Sequence, residues 1–240
     1  MKKILFLFFL FCALTSVRAQ NWAQFGNAND VLSLSYVFYY DTSTTTLYAD
    51  GRFLSAIGDT INGIAKWNGS SWDSVGNGGA FDFSVQWIIS YQGDLYAGGC
   101  CGAENIMRFD GTNWVSVGGG TDDAPETATI YNGELYIAGT FYMAGGVPTG
   151  AIAKWNGTQW SSVPPPSPWT LVHVRAIHTY NNELYVGGLW DGPWGRCLIR
   201  FNGTEWDSVG NQLAPYLSMM DGGVYDFAVL NNELYAGGYF

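Results

Sequence analysis

Residue types that could do metal or acid–base chemistry are few in this chain, and their spacing does not bring them together. The two histidines, His173 and His178, are five positions apart on one predicted strand. An odd separation directs their side chains to opposite faces, so we do not expect them to share a metal ion. The acids Asp82, Glu126 and Asp226 stand singly near the starts of predicted strands. Because catalysis needs convergent groups, the sequence predicts no catalytic residues, no metal and no cofactor.

The cysteines raise a separate question of redox chemistry. Cys100 and Cys101 are adjacent at the end of a predicted strand. In an oxidising compartment they would form a vicinal disulfide that makes a tight turn, and two thiols that simply fill the turn are an equally favoured alternative. Cys197 is the third cysteine after residue 19, and an odd count leaves at least one thiol outside any pair within the chain.

Aromatic residues supply the strongest candidates for binding. The loops of one repeat carry four residues that we expect at the surface: Trp169, Trp190, Asp191 and Trp194. Exposed tryptophans stack on sugar rings or anchor a protein partner. Packing of the same rings between sheets is the alternative.

A repeat must position these residues, and it is plain in the sequence. The motif Leu-Tyr-x-x-Gly begins at five points that are 40 to 50 residues apart: Leu47, Leu95, Leu135, Leu184 and Leu234. The first four copies are each followed by an aromatic residue and, five positions later, a tryptophan, in the pairs Trp67/Trp72, Phe109/Trp114, Trp155/Trp160 and Phe201/Trp206.

Turn residues give the order of the strands. Asn-Gly and related pairs favour type I′ turns, because both central residues of such a turn need a positive φ. One pair precedes each later Leu-Tyr strand, and an Asn-Gly or Asp-Gly pair separates each aromatic residue from its tryptophan. We therefore predict an antiparallel meander of four strands per repeat, with two-residue turns in both hairpins.

A four-stranded meander repeated at this interval is typical of a β-propeller. The predicted fold is all-β, a propeller with four full blades and a partial fifth. The blades cover approximately residues 31–76, 84–118, 126–163, 172–210 and 224–240, and residues 22–25 match the fourth strand of the last blade. A β-sandwich is the structural alternative, but it would not explain the fixed spacing within every repeat.

The last blade has no candidate for its third strand before Phe240. We expect the coding region to continue with another strand of this kind, because an open apolar edge favours aggregation. An imperfect five-bladed ring is the alternative.

The order Leu-Tyr-x-Gly-Gly, then an aromatic residue, a turn and a tryptophan, resembles the kelch repeat of galactose-oxidase-type propellers. The chain also resembles secreted propellers of bacteria that use type IX secretion. This resemblance implies the fold of residues 20–240 and says little about function. The aromatic-to-tryptophan spacing is shorter than in kelch repeats, and the usual arginine before the first strand is absent. The Tyr, His and Cys copper site of galactose oxidase is not recognisable here.

The N-terminus indicates the compartment. Lys2 and Lys3 precede an apolar run over residues 4–14, and Ala19 completes a cleavage site before Gln20. This is the pattern of a secretory signal peptide, and the run is shorter than the roughly 20 residues of a membrane-spanning helix. We expect residues 1–19 to be removed and the rest to be extracellular or at the cell surface, with the periplasm as an alternative.

Charge narrows the range of partners. The formal net charge is −10, and the chain has no basic cluster, which argues against nucleic acids and anionic membrane surfaces. The hypothesis is a secreted or cell-surface binding or scaffold module that recognises a protein or a glycan through loops on one face. A carbohydrate-active enzyme on the same propeller is the alternative.

The cleavage site gives the first testable prediction. In the native host, the N-terminal peptide of the exported protein should begin at Gln20. The Ala19→Tyr variant should retain residues 1–19, because signal peptidase requires a small residue immediately before the cleaved bond. Mass spectrometry of the culture fluid and cell envelope measures both. An exported wild-type chain that begins at Met1 would contradict the prediction.

Overall fold

The structure is a computed structural model that describes residues 31–55, 59–76, 85–99, 104–164, 170–191, 196–209 and 223–239. The predicted signal peptide and the strand predicted at residues 22–25 lie outside these segments. The described residues form twenty β-strands and no α-helix, which confirms the predicted all-β class.

Four sheets each contain four antiparallel strands, as predicted for the repeat. The first sheet contains β1 (Val31–Asp41), β2 (Thr46–Leu54), β3 (Thr60–Trp67) and β4 (Trp72–Ser74). The second contains β5 (Val85–Tyr91), β6 (Asp94–Gly99), β7 (Ile106–Phe109) and β8 (Trp114–Ser116).

The third sheet contains β9 (Pro125–Tyr131), β10 (Glu134–Gly139), β13 (Ile152–Trp155) and β14 (Trp160–Ser162), with a separate hairpin of β11 (Met143–Ala144) and β12 (Val147–Pro148) inserted between β10 and β13. The fourth contains β15 (Thr170–Tyr180), β16 (Glu183–Asp191), β17 (Arg196–Phe201) and β18 (Trp206–Ser208). Among the described residues the last sheet has two strands, β19 (Gly223–Leu230) and β20 (Glu233–Tyr239).

The turns between the first and second strands of the later sheets have the predicted geometry. φ is 53° at Gln92 and 89° at Gly93 in the second sheet, and it is positive at both turn residues in the next three sheets as well. Tyr91 pairs with Asp94 across the turn, so the loop has only two residues. The type I′ prediction is therefore confirmed for these hairpins.

The two-residue turn predicted between the third and fourth strands is wrong. Trp67 pairs with Trp72, so four residues connect β3 to β4. The Asn68 Oδ1 atom accepts hydrogen bonds from the backbone N–H groups of Ser70 and Ser71, both at 2.9 Å. An asparagine or aspartate that accepts from its own loop in this way forms an Asx turn, which is the physical reason for the residue type.

Tryptophans of the fourth strands join consecutive sheets. The Trp114 Nε1–H group donates to the carbonyl oxygen of Val75 at 2.8 Å, and the Trp160 Nε1–H group donates to that of Val117 at 3.0 Å. Both tryptophans are buried in the apolar clusters between sheets. Because a buried carbonyl left without a donor costs about 1–3 kcal/mol, the recurring tryptophan stabilises one packing of each sheet on the next.

The first strands of the five sheets lie beside one another in chain order. β1 contacts β5, β5 contacts β9, β9 contacts β15, and β15 contacts β19. Side chains that are roughly one repeat apart in the sequence therefore become neighbours along this row of strands.

Four of these first strands carry a one-residue β-bulge opposite the glycine motif of the second strand. β15 has a second bulge between Leu171 and His173, and the register of β1 shifts between Val31 and Ser33 and between Leu34 and Phe38. In the fourth sheet, Val174 pairs with Gly188 and Ala176 with Gly187, which leaves Arg175 as the extra residue. The extra residues of the second, third and fifth sheets are Gln86, Glu126 and Tyr225.

The glycine of the second strand is what permits the bulge. A Cβ atom added to Gly188 would lie 2.2 Å from the carbonyl oxygen of His173, and one added to Gly139 would lie 2.5 Å from that of Ala124. These distances are too short for any other residue, so the glycine gives the bulged backbone its room. The backbones of the first and second strands therefore approach closely at the glycine motif.

We predict that Gly188→Ala lowers the free energy of unfolding by about 1–3 kcal/mol, the usual cost of an overpacked site. The matched control is Gly237→Ala, because the nearest atom to a Cβ at Gly237 is the Asp226 carbonyl oxygen at 3.9 Å. That variant should change stability by less than about 0.5 kcal/mol. Urea unfolding measures both, and equal effects would contradict the account.

Candidate functional site

The four bulges gather polar side chains at one end of the row of first strands. Gln86, Glu126, Arg175 and Tyr225 each lie five residues before the last residue of their strand. Bulges redirect side chains and recur beside binding sites. We call this region the bulge end; it is the end at which the first strands begin and the second strands finish.

Glu126 and His173 connect two sheets at the bulge end. The Nε2 atom of His173 on β15 lies 2.7 Å from Oε1 of Glu126 on β9. Both side chains are largely buried, with exposed fractions of 18% and 26%. Trp87 fixes the neighbouring backbone, because its Nε1–H group donates to the carbonyl oxygen of Pro125 at 3.0 Å. The acid is therefore held in place by both the preceding and the following sheet.

Arg175 and Tyr225 form a second pair between the fourth and fifth sheets. The guanidinium carbon of Arg175 lies 4.7 Å from the centre of the Tyr225 ring, within the range of a cation–π contact. Tyr225 remains 37% exposed. A cationic donor group and an accessible aromatic ring are thus adjacent at the bulge end.

His178 lies farther along β15 and faces the fifth sheet. Its ring centre is 6.3 Å from that of Phe227, whereas His173 contacts β9 of the third sheet. Burial lowers the pKa of His178, and the nearby charge of Asp226 opposes that effect. The two histidines therefore contact different neighbouring sheets, and they do not form a joint site.

The residues predicted for binding in the fourth repeat divide into two groups. Trp190 and Asp191 lie on β16, where Leu171 pairs with Trp190 and Thr170 with Asp191. This register places both residues at the bulge end, beyond His173. Trp169 and Trp194 lie outside the described residues, as do Cys100 and Cys101, so the choice between a vicinal disulfide and two thiols stays open.

Two further acids, Asp122 and Asp123, support a loop. The Asp122 Oδ1 atom accepts hydrogen bonds from the backbone N–H groups of Tyr142 and Met143 at 2.9 and 2.8 Å. Asp123 accepts from the hydroxyl group of Thr140 at 3.0 Å. These acids thereby tie the inserted β11–β12 hairpin to the loop before β9. Within the described segments, no group of three or more histidine, cysteine, aspartate or glutamate residues is placed to hold a metal ion.

Sequence reasoning noted Glu126 only as an isolated acid and missed Gln86, Arg175 and Tyr225. A usable signal was present: each of them stands five residues before the residue that enters the type I′ turn and opposes the glycine motif of the next strand. The sequence analysis did not anticipate the bulge. Without the bulge, each of these residues is assigned a pairing partner in the second strand that it does not have.

Comparison with known proteins gives no family assignment. No protein-family model matches the chain, and no curated protein sequence is significantly similar to it. Within the described residues, no helix has the length and apolar character needed to cross a membrane.

We predict that Glu126 and His173 are energetically coupled. A double-mutant cycle with Glu126→Ala and His173→Ala should give a coupling free energy of about 0.5–3 kcal/mol, as for other residues in direct contact. The control cycle pairs Glu126→Ala with His178→Ala and should be additive within about 0.5 kcal/mol. Equal coupling in the two cycles would show that the hydrogen bond does not join β9 to β15.

Proposed function

We propose that the protein is a β-propeller of kelch-like blades in which the five first strands are the innermost strands. Their contacts in chain order support this arrangement, as do the repeated sheets of four antiparallel strands. The tryptophan hydrogen bonds between consecutive sheets support a radial packing in which each sheet makes the same contact with the next.

We propose that this propeller binds a glycan. The protein would do so in a secreted form or at the cell surface. The observation that carries the proposal is the recurrence of Gln86, Glu126, Arg175 and Tyr225 at equivalent bulge positions of neighbouring strands. Polar hydrogen-bonding groups beside an exposed aromatic ring suit a sugar, which presents hydroxyl groups at its rim and apolar C–H groups on its faces.

The second strand of the fourth sheet extends this surface. Trp190 and Asp191 are the last two residues of β16 and lie at the same end as the bulges. A protein partner is the competing ligand class. Exposed large apolar side chains occur at both ends of the first strands of the described residues, with Tyr225 and the β11–β12 hairpin at the bulge end, so the choice of a sugar rests on the polar groups of the bulges.

A glycan array followed by calorimetric titration of the best oligosaccharide tests the proposal. Tyr225→Leu should weaken binding at least tenfold, because it removes the exposed ring that we place against the sugar. Tyr40→Leu is the matched control: Tyr40 is 55% exposed on β1, beside the turn at the opposite end of the strand, and its loss should leave the affinity unchanged.

Three outcomes would contradict this proposal. They are an array without hits, equal losses from the two tyrosine variants, and capture of a protein partner whose binding depends on Tyr225 while no glycan binds.

The second candidate function is a carbohydrate-active enzyme, and the contact between Glu126 and His173 favours it. A carboxylate held 2.7 Å from an imidazole nitrogen is an arrangement that general acid–base catalysis uses. Product release from a panel of polysaccharides, abolished by Glu126→Gln, would select the enzyme over the binding module. Binding without turnover on the same panel would select the binding module.

A further inference from the structure

Arg175 is in an unusual position for a basic residue of this acidic protein. The chain has 20 acidic and 10 basic residues, and Arg175 is the one lysine or arginine within the described first strands, β1, β5, β9, β15 and β19. It also occupies a bulge, which places it at the proposed binding surface.

Other basic residues of the described sheets serve a structural purpose. Arg108 pairs with Asp94, Lys154 with Glu134, and Arg200 with Glu183. Each of these pairs joins the second and third strands of one sheet. Among the residues that the structure describes, no carboxylate forms such a pair with Arg175.

The guanidinium group of Arg175 has unused hydrogen-bonding capacity. Its Nε atom is buried and has no hydrogen-bond partner within the described part of the chain. A buried donor without an acceptor is costly, and such a group in a folded protein calls for an explanation such as an absent ion or ligand. The contact with Tyr225 lies on one face of the guanidinium group, whereas its N–H groups point outward in the plane of the group.

The acid that contacts His173 and the acid that follows Tyr225 in the chain each have a hydrogen-bond partner already. The Oε1 atom of Glu126 lies within hydrogen-bond distance of His173 Nε2. The Asp226 Oδ1 atom accepts a hydrogen bond from the backbone N–H group of Phe227 at 2.8 Å. Within the described segments, Arg175 is therefore a planar cation with an unpartnered Nε–H donor beside an exposed aromatic ring.

We propose that Arg175 binds the carboxylate of an acidic sugar, a uronic acid residue of the ligand, while the Tyr225 ring contacts the sugar beside it. This inference rests on the proposed glycan-binding function. It adds that the glycan is negatively charged at the sugar that contacts Arg175. The planar donors of arginine match the two oxygens of a carboxylate. Arg175 is one cation in a protein of net charge −10. Such a protein repels ligands with many negative charges more strongly than a ligand with one.

The test observes the donor itself. In a protein with ¹⁵N-labelled arginine, the Nε–H resonance of Arg175 is assigned by its loss in Arg175→Lys. Sodium glucuronate should shift this resonance in a saturable way. The methyl ester of glucuronate, which has the same ring without the charge, should not shift it, and the Nε–H resonance of Arg200 should stay in place as an internal control.

Two variants sharpen the test. Arg175→Lys keeps the charge but loses the planar donors, so we expect at least a tenfold loss of glucuronate affinity by calorimetry. Arg200→Gln removes an arginine from the same sheet and should leave the affinity within twofold. Circular dichroism of both variants establishes that they fold.

The outcomes separate this inference from the proposed function. No shift of the Arg175 resonance with glucuronate, or an equal shift with the ester, overturns the inference, and the glycan proposal survives if neutral sugars bind in a Tyr225-dependent way. A shift with N-acetylglutamate but not with glucuronate, together with no Tyr225-dependent binding of neutral sugars, overturns the sugar assignment and the glycan proposal together and points to an acidic peptide as the ligand.

Discussion

The close approach of a bulged first strand to the glycine of the second strand is the constraint on which the rest of this structure depends. The carbonyl oxygen of His173 occupies the space where Gly188 would carry a Cβ atom, and the same crowding recurs at Gly139 and Gly238. At these positions the added residue of the first strand is accommodated because the opposite strand has no side chain there. The glycine motif therefore permits this bulge, and the bulge determines which residue occupies the added position.

This constraint links the fold to the candidate site. The second to fifth sheets repeat the same bulge, whereas the residue on it differs: glutamine, glutamate, arginine and tyrosine in successive sheets. Because the first strands are neighbours in chain order, these residues recur at equivalent positions along one row of strands. A regular framework thus carries an irregular chemical pattern, which is how repeat architectures generate specific binding surfaces without altering their packing.

Two kinds of contact hold the framework together, and they act at different places. Aromatic clusters and the hydrogen bonds of Trp114 and Trp160 join consecutive sheets through their outer strands. The hydrogen bonds of Trp87 and of Glu126 with His173 join them through the first strands. The second kind places charged and polar groups between sheets, so the same contacts that align the sheets also orient the candidate site.

The sequence by itself determined the strand order, the type I′ turns and the all-β class, because these depend on local residue types such as Asn132-Gly133 and on the spacing of the repeat. It failed at the Asn68 turn, where a side-chain acceptor produces a longer loop from a pair of residues that usually makes a shorter one. It also failed to find Arg175 and Tyr225, because regular pairing counted back from the turn assigns the bulged residue, and every residue before it, to a partner one position away. Only the tertiary structure decided which residues meet at the bulge end, because that depends on the register across each glycine motif and on contacts between residues about one repeat apart.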